Sequence, residues 1–266
     1  MRKTLFTMAL CAMAMVAQAQ VTVTNVMNGY KSGDKLEKNV YSDENRTFLG
    51  KTWSGAYYKD KLNPNPSPVV GDGLTYGGYP EKGPAIKFGG FPTKDKGSRV
   101  SVYSLKEKGG KGKGTIYFSF LVNFKKLGLP GMADLVGLHH HYLGSDLARA
   151  NFYVGKVKDN AKKIRFGVSM LKLKAESAKQ YDYNTTHLVV IKVDYAAQTV
   201  SMFVNPKLGG DEPEADATVN GTDGTKLTQG ISSIVLRNRS NYEGSIGSFR
   251  MFGTWADITT DAQAQQ

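Results

Sequence analysis

The sequence is short of cysteine, of acidic residues and of long apolar runs. Its 266 residues include one cysteine, Cys11, so no disulfide can form within the chain. Beyond residue 20, no apolar stretch reaches the roughly 18 residues of a membrane-spanning helix, so we expect no membrane span. Asp and Glu total 23 against 35 Lys and Arg, a formal net charge of +12. These shortages exclude a disulfide-stapled scaffold and an integral membrane bundle.

The N-terminus has the three-part pattern of a secretory signal peptide. Arg2 and Lys3 supply positive charge, residues 4–16 are apolar, and Ala17-Gln18-Ala19 has the small residues of a cleavage site. We predict that 1–19 is removed, leaving 20–266 as an exported chain that is periplasmic, at the cell surface or secreted. Cys11 is lost with the signal, so thiol and redox catalysis are excluded from the mature protein.

Abundant glycine and aromatic residues favour strands and turns over helices. The chain has 30 Gly, 14 Tyr and 12 Phe. Alternation predicts a strand at 21–24. Patterns of β-branched and aromatic residues predict strands at 85–88, 99–105, 115–124, 151–157, 163–170, 187–194, 199–205, 231–237 and 245–252. One helix is predicted, over 171–180. Strands that follow one another with turns between them predict an all-β fold, a sandwich or a barrel.

Several segments resemble a known group of β-sandwich proteins. Residues 186–206 resemble the signature hairpin of laminin-G-like, concanavalin A-like domains, in which a strand with a leading His and a trailing Asp turns into a strand ending in Val-Asn. Residues 207–218 and 246–257 resemble a bacterial subgroup of these domains. So do 51–56 and 73–76, in its N-terminal half. The resemblance implies one concanavalin A-like jelly roll over 20–266, built from two antiparallel sheets. Members are mostly uncharacterised secreted or surface proteins.

Catalytic carboxylates are missing from the expected places. Glycosidases need two carboxyl groups about 5–9 Å apart, and laminarinase-like enzymes of this fold carry Glu-x-Asp-x-x-Glu on one strand. This sequence has no such strand. Glu212 and Glu214 are two residues apart, but Pro213 separates them, so we interpret them as part of a solvated acidic loop. We also find no match to the motifs of the alginate-lyase jelly rolls. We expect a protein without catalytic activity, and keep a polysaccharide-degrading enzyme with an unfamiliar site as an alternative.

Three consecutive histidines are the most unusual polar feature. In an extended segment His139 and His141 share one face, a spacing that can hold a metal ion, with Asp134 or Asp146 as a third ligand. The same imidazoles could instead contact a sugar or an acidic group. A third interpretation places them in a loop or at a strand edge with no ligand.

Calcium is the usual metal in the domains that the sequence resembles, bound by side-chain and backbone oxygens. The candidate ligands are Asp194 and Asn205, which flank the resembling hairpin. Both residue types are also common in turns, so a structural role competes with calcium binding. Asp72, Asp223 and Asn241 are further candidates.

Aromatic rings can stack on the apolar faces of sugars. Trp53, Tyr57 and Tyr58, with Tyr76 and Tyr79, cluster in the N-terminal third and are candidate platforms. Packing in the core is the alternative role, for Trp53 and Trp255 above all.

The densest basic run, 106–114, alternates lysine and glycine and lacks interleaved aromatic residues. It could attract an acidic polysaccharide or an anionic surface, but it does not have the pattern of a nucleic-acid binder. We therefore predict a secreted, non-catalytic module that binds carbohydrate or a cell-surface ligand. A structural or adhesive envelope module that binds protein is the alternative.

Overall fold

The structure is a computed structural model. It describes residues 23–24, 26–38, 41–42, 47–48, 52–57, 64–65, 67–90, 98–105, 110–128, 131–140 and 148–260. The predicted signal peptide lies outside these residues, as do Tyr58, His141 and Asp146. Among the described residues, no helical segment has the length and hydrophobicity needed to cross a bilayer.

The regular secondary structure of the described residues is almost entirely β-strand. In chain order the strands are β1 (Tyr41–Ser42), β2 (Thr47–Phe48), β3 (Ala56–Tyr57), β4 (Pro64–Asn65), β5 (Val70–Gly71), β6 (Ala85–Phe88), β7 (Ser98–Ser104), β8 (Thr115–Leu127), β9 (Ala133–His139), β10 (Ala150–Val157), β11 (Asn160–Met170), β12 (Leu173–Glu176), β13 (Tyr181–Asp182), β14 (Thr186–Asp194), β15 (Thr199–Val204), β16 (Ala217–Asn220), β17 (Ser233–Arg239) and β18 (Tyr242–Phe252). A short 3₁₀ helix, Trp255–Thr259, follows β18.

The strands pair into two large antiparallel sheets. The nine-stranded sheet has the order β12-β11-β10-β9-β17-β7-β3-β4, with β13 also paired to β11. The seven-stranded sheet has the order β16-β15-β14-β8-β18-β6-β5, and β1 pairs only with β2. The chain is therefore a two-sheet antiparallel β-sandwich of the jelly-roll type, as predicted.

Nine of the ten strands predicted from the sequence are present. The tenth, over 21–24, lies partly outside the described residues, and Val23 forms an isolated bridge with Met251. The predicted helix over 171–180 is wrong, because Met170 and Leu173 pair across a two-residue turn and β12 extends the nine-stranded sheet. Leu171 turns the chain there with a φ of 54°. Strand β9, which the sequence analysis left unassigned, fills the position between β10 and β17.

The core lies between the two sheets. Side chains alternate along a strand, so every second residue of β8, from Phe118 to Phe124, points to the facing sheet. Phe120 meets Phe152 edge-to-face, with ring centroids 5.3 Å apart, and Phe124 meets Phe166 at 5.9 Å. These contacts between sheets fix which residues of β10 and β11 point outward.

The outer surface of the seven-stranded sheet is covered by apolar residues from outside the sheet. Tyr79, Trp255 and Ile258 are buried against outward-pointing side chains of β8, β14, β15 and β18. Arg250, only 3% exposed, donates to the carbonyl oxygens of Ile258 (3.0 Å) and Thr260 (2.7 Å). The outer surface of the nine-stranded sheet is therefore more accessible to a ligand than that of the seven-stranded sheet.

A β-bulge in β9 changes which side chains point outward. Val136 is opposite Phe152, but the next pair is Asp134 with Tyr153, so Leu135 is an extra residue. Leu135 is fully buried in the core. Because of the bulge, Asp134 lies opposite Tyr153 on the outer surface of the sheet.

Candidate functional site

The exposed part of the outer surface of the nine-stranded sheet is rich in charged and hydrogen-bonding side chains. We call it the polar face, formed by Asp134, Asn151, Tyr153, Lys163, Arg165, Lys174, Glu176, Asp182, Arg237 and Arg239. Its members point outward because their neighbours along the strands, such as Phe152 and Phe166, belong to the core. Each of the ten is exposed or partly exposed. Near β3 and β7 the same surface is closed by a small buried cluster, Tyr57, Val100, Val102 and Val235.

Glycines in the middle of the polar face let neighbouring side chains lie close to the sheet. A Cβ on Gly155 would lie 2.5 Å from Sδ of Met132, so the absence of a side chain lets Met132 lie flat on the sheet. Gly137, on β9, is covered in the same way by the amide of Asn151. Close approach of this kind is what glycine permits in a strand. The surface around Tyr153 is therefore shallow.

Tyr153 stands at the centre of the polar face. Its ring is partly exposed, and its cross-strand partners are Gly167 on β11 and Asp134 on β9. The ammonium group of Lys174 lies 4.3 Å from the centre of the ring. An aromatic ring with one polar tip, partly exposed on a flat surface, suits stacking against a sugar.

Asp134 is bound by two guanidinium groups. Nε of Arg237 lies 2.9 Å from Oδ2, and Arg239 forms an ion pair with Oδ1. The two arginines are two residues apart on β17, so both point to the same face. They fix the carboxylate and retain further N–H groups, since each guanidinium has five.

The remaining carboxylates of the polar face are also paired. Arg165 meets Glu176 at 2.6 Å and Lys163 meets Asp182 at 2.6 Å. Glu176 and Asp134 lie in one cross-strand row, with Gly167 and Tyr153 between them. Three strand spacings separate them, about 14 Å. Glycosidases need about 5–9.5 Å between their carboxyl groups, so this pair does not have the arrangement for glycoside hydrolysis.

The aromatic candidates from the N-terminal third lie mostly in the core. Trp53 is 0% exposed, and its ring packs against Tyr103 (5.7 Å) and Phe249 (5.4 Å). Trp53 therefore packs in the core, which was its alternative role, and its ring is not accessible for stacking on a sugar. Tyr57 is 6% exposed within the small buried cluster. Tyr58 lies outside the described residues.

His139 ends β9, opposite Ser233 of β17, and is 4% exposed. His140 is partly exposed, and its Nδ1 donates to the carbonyl oxygen of Gly230 at 2.9 Å. Asp134, considered above as a metal ligand beside the histidines, is held by arginines instead. Among the described residues, no group of three or more His, Cys, Asp or Glu side chains is placed to hold a metal. His141 lies outside the described residues, so the predicted ligand role of His139 with His141 stays a prediction.

Asp194 and Asn205 lie at opposite ends of the β14–β15 hairpin, about 20 Å apart. Asp194 Oδ1 accepts from the backbone N–H groups of Ala196 (3.0 Å) and Ala197 (2.8 Å). Asn205 Oδ1 accepts from the N–H of Leu188 at 3.0 Å, and its φ is 51°. The two residues do not form one calcium site, because each uses its oxygen to shape the end of the hairpin.

Glu212 is an exposed residue of the loop after β15, in agreement with its interpretation, and it also contacts the seven-stranded sheet. Nζ of Lys192 lies 2.9 Å from Oε1, and the hydroxyl of Tyr117 donates to Oε2. Burial, followed by this hydrogen bond, raises the pKa of Tyr117 above its usual value. Glu214, two residues on, is exposed. These contacts hold the loop after β15 against the seven-stranded sheet.

Tyr153, Arg237 and Arg239 are the residues that the sequence analysis did not single out. The sequence could have predicted that Asn151 and Tyr153 point outward, because they alternate with the buried residues Phe152 and Val154. The position of Asp134 was not available, since it depends on the bulge.

No family model matches the chain, and no curated protein matches it. Solved structures with similarity include a native heptameric SAP-like pentraxin from Limulus polyphemus (8% identity, 67% of this chain and 81% of that chain, TM-score 0.44). Others are the T. cruzi calreticulin globular domain (12% identity, 78% and 86%, TM-score 0.43) and the botulinum neurotoxin serotype D binding domain (10% identity, 87% and 51%, TM-score 0.44). Identity at this level says nothing about ligand or activity.

Proposed function

We propose that this protein is an exported, non-catalytic β-sandwich module, a single domain over residues 20–266, that binds carbohydrate through the polar face. The observation that carries the proposal is the partly exposed ring of Tyr153 on a shallow surface among hydrogen-bonding side chains. Sugars present apolar C–H faces and rims of hydroxyl groups, and the polar face offers a partner for each.

The arrangement around the ring supports binding of an extended chain. The strands carry side chains in cross-strand rows, so Glu176, Tyr153 and Asp134 lie in one line across the sheet. A row of this length fits several sugar units of a polysaccharide rather than one buried monosaccharide. Met132 and the amide of Asn151 lie close over Gly155 and Gly137, so the surface beside the row stays shallow enough for such a chain to lie across the strands.

The experiment is a polysaccharide array with plant, algal, host and bacterial glycans, followed by calorimetric titration of any glycan that binds. Tyr153→Ala should lower affinity at least tenfold, because stacking on an aromatic ring is lost. Tyr153→Phe, which keeps the ring, should retain most of it.

Tyr76→Ala is the matched control, since Tyr76 is also a partly exposed tyrosine but packs on the outer surface of the other sheet. It should bind as the unaltered protein does. A blank array, or equal binding by Tyr153→Ala, would overturn the proposal and favour the protein-binding envelope module.

A further inference from the structure

The polar face has more positive than negative groups. Its three carboxylates are each already engaged by a cation, and Asp134 is engaged by two. One arginine and Lys174 therefore remain in excess. Exposed lysines at 156, 158, 162 and 172 surround the adjoining turns of β10, β11 and β12 and add to the positive potential.

The two excess charges lie on opposite sides of Tyr153. Lys174 reaches the ring from the β12 side, with Nζ 4.3 Å from the ring centre. Arg237 and Arg239 reach Asp134, which is the cross-strand neighbour of Tyr153 on the β9 side. A sugar stacked on this ring would have a cation at each of two opposite edges. Lys174 is exposed, so its side chain can leave the ring face when a ligand arrives.

The polar face also has more hydrogen-bond donors than free acceptors. Lysine and arginine side chains are donors only, and the carboxylates that could accept from sugar hydroxyls are occupied by ion pairs. Such a surface has unused hydrogen-bond donors and few free hydrogen-bond acceptors. The chemically complementary ligand carries acceptor groups with negative charge, and arginine pairs especially well with planar carboxylates and with sulfate-like oxyanions.

We infer that the ligand of the polar face is an acidic polysaccharide, with carboxylate or sulfate groups bound by Lys174 on one side of Tyr153 and by Arg237 and Arg239 on the other. The inference rests on the proposed function and names the chemical class of its ligand.

The test compares a polyuronate with its carboxyl-reduced, neutral form, and a sulfated polysaccharide with its desulfated form, by calorimetry at 50 and 500 mM NaCl. For the full protein, at least one acidic polymer should bind tenfold or more tightly than its neutral counterpart. Its affinity should fall at least tenfold at the higher salt concentration.

Two variants assign the charge preference to this face. Lys174→Gln and Arg239→Gln should each weaken binding of the acidic polymer about fivefold or more, so that its affinity approaches that of the neutral form measured with the same variant. Lys207→Gln is the control, since Lys207 is an exposed lysine on the loop after β15. Lys174 is exposed on an edge strand, so its variant is expected to fold as the unaltered protein does, which a thermal melt checks.

The outcomes separate the two claims. Equal affinity for acidic and neutral polymers would overturn the charge inference and leave carbohydrate binding intact. Acidic preference that survives both variants would overturn the assignment to Lys174 and Arg239. Binding to no polysaccharide would overturn the proposed function and the inference with it.

Discussion

The imidazole of His187 accepts a hydrogen bond from the side-chain amide of Asn205, with 3.0 Å between Nδ1 and Nδ2. The other ring nitrogen, Nε2, donates to the carbonyl oxygen of Asp182 at 2.9 Å. The bond at Nδ1 requires a neutral ring, since a protonated Nδ1 has no lone pair to accept it. Burial of the ring lowers the pKa of His187 below its ordinary 6.5, although its interactions with Asp182 and Asn205 act in the opposite direction.

This pair predicts a loss of stability in mild acid. Below about pH 6.5 the unfolded chain binds a proton at His187 that the folded chain does not bind. The free energy of unfolding should therefore decrease as pH falls through 6.5 towards the lowered pKa, by at most about 1.4 kcal/mol per pH unit from this group.

Denaturant unfolding at pH 7.5, 6.5 and 5.5 checks the prediction. His187→Gln should show a smaller decrease than the unaltered protein over this range. Identical pH dependence in the His187 variant would show that this histidine does not couple folding to protonation.

Asn205 is predicted to matter for its backbone as well as its amide. Its φ of 51° lies in the left-handed region, and its side chain bonds to both His187 and the N–H of Leu188. Asn205→Gly keeps the backbone conformation and should cost about 1–2 kcal/mol for the lost hydrogen bonds. Asn205→Ala adds the left-handed penalty of roughly 1–2 kcal/mol and should be less stable than the glycine variant. The reverse order in thermal melts would contradict this account.

Gly244 is predicted to tolerate no side chain. A Cβ there would overlap the carbonyl oxygen of Asn123 on the neighbouring strand and meet Cζ of Phe88 at 2.6 Å. Since backbone cannot move aside cheaply, Gly244→Ala should destabilise the protein by about 3 kcal/mol or more. Gly224→Ala is the matched control, because nothing lies within 4 Å of its added Cβ. The two melting temperatures should differ clearly, and similar values would exclude steric overlap as the reason for glycine at 244.

Arg250 is predicted to stabilise the outer layer of the seven-stranded sheet. It donates to the carbonyls of Ile258 and Thr260, and its Nε lies 3.9 Å from Glu81. Arg250→Gln removes the cation from a buried environment and should cost about 3 kcal/mol or more. Arg165→Gln breaks an exposed ion pair and should cost less than about 1 kcal/mol. Urea unfolding of both variants measures the contrast.

The strands with a regular pattern were the predictable part of the fold. β8 and the β14–β15 hairpin were found because alternation and aromatic content act locally, within one strand or one turn. Strand β9 was missed because the extra residue Leu135 breaks its alternation, Gly137 lies within it, and it pairs with β17, which is distant in sequence. The helix predicted over 171–180 failed because pairing with β11 outweighs local helix propensity.

The candidate site was less predictable than the fold. The sequence offered Trp53 both as a sugar platform and as a core residue, and its position between the sheets gives it the packing role. Tyr153 lay within a predicted strand, but its importance comes from Asp134 and Lys174, which approach it from two other strands, and from Arg239, which pairs with Asp134. Such convergence depends on sheet order, which a single sequence does not specify.

The extra residue at Leu135 makes β9 two half-strands that are out of phase by one position. Deleting Leu135 would leave Asp134 opposite Tyr153, because the extra residue belongs to β9 alone. Straightening the bulge with every residue kept would instead pair Leu135 with Tyr153 and turn Asp134 into the apolar interior, away from both arginines. The bulge therefore decides whether β9 presents a carboxylate or a leucine to the outer surface, so substitutions that favour a regular strand here should remove the ion pairs of Asp134 without touching either arginine.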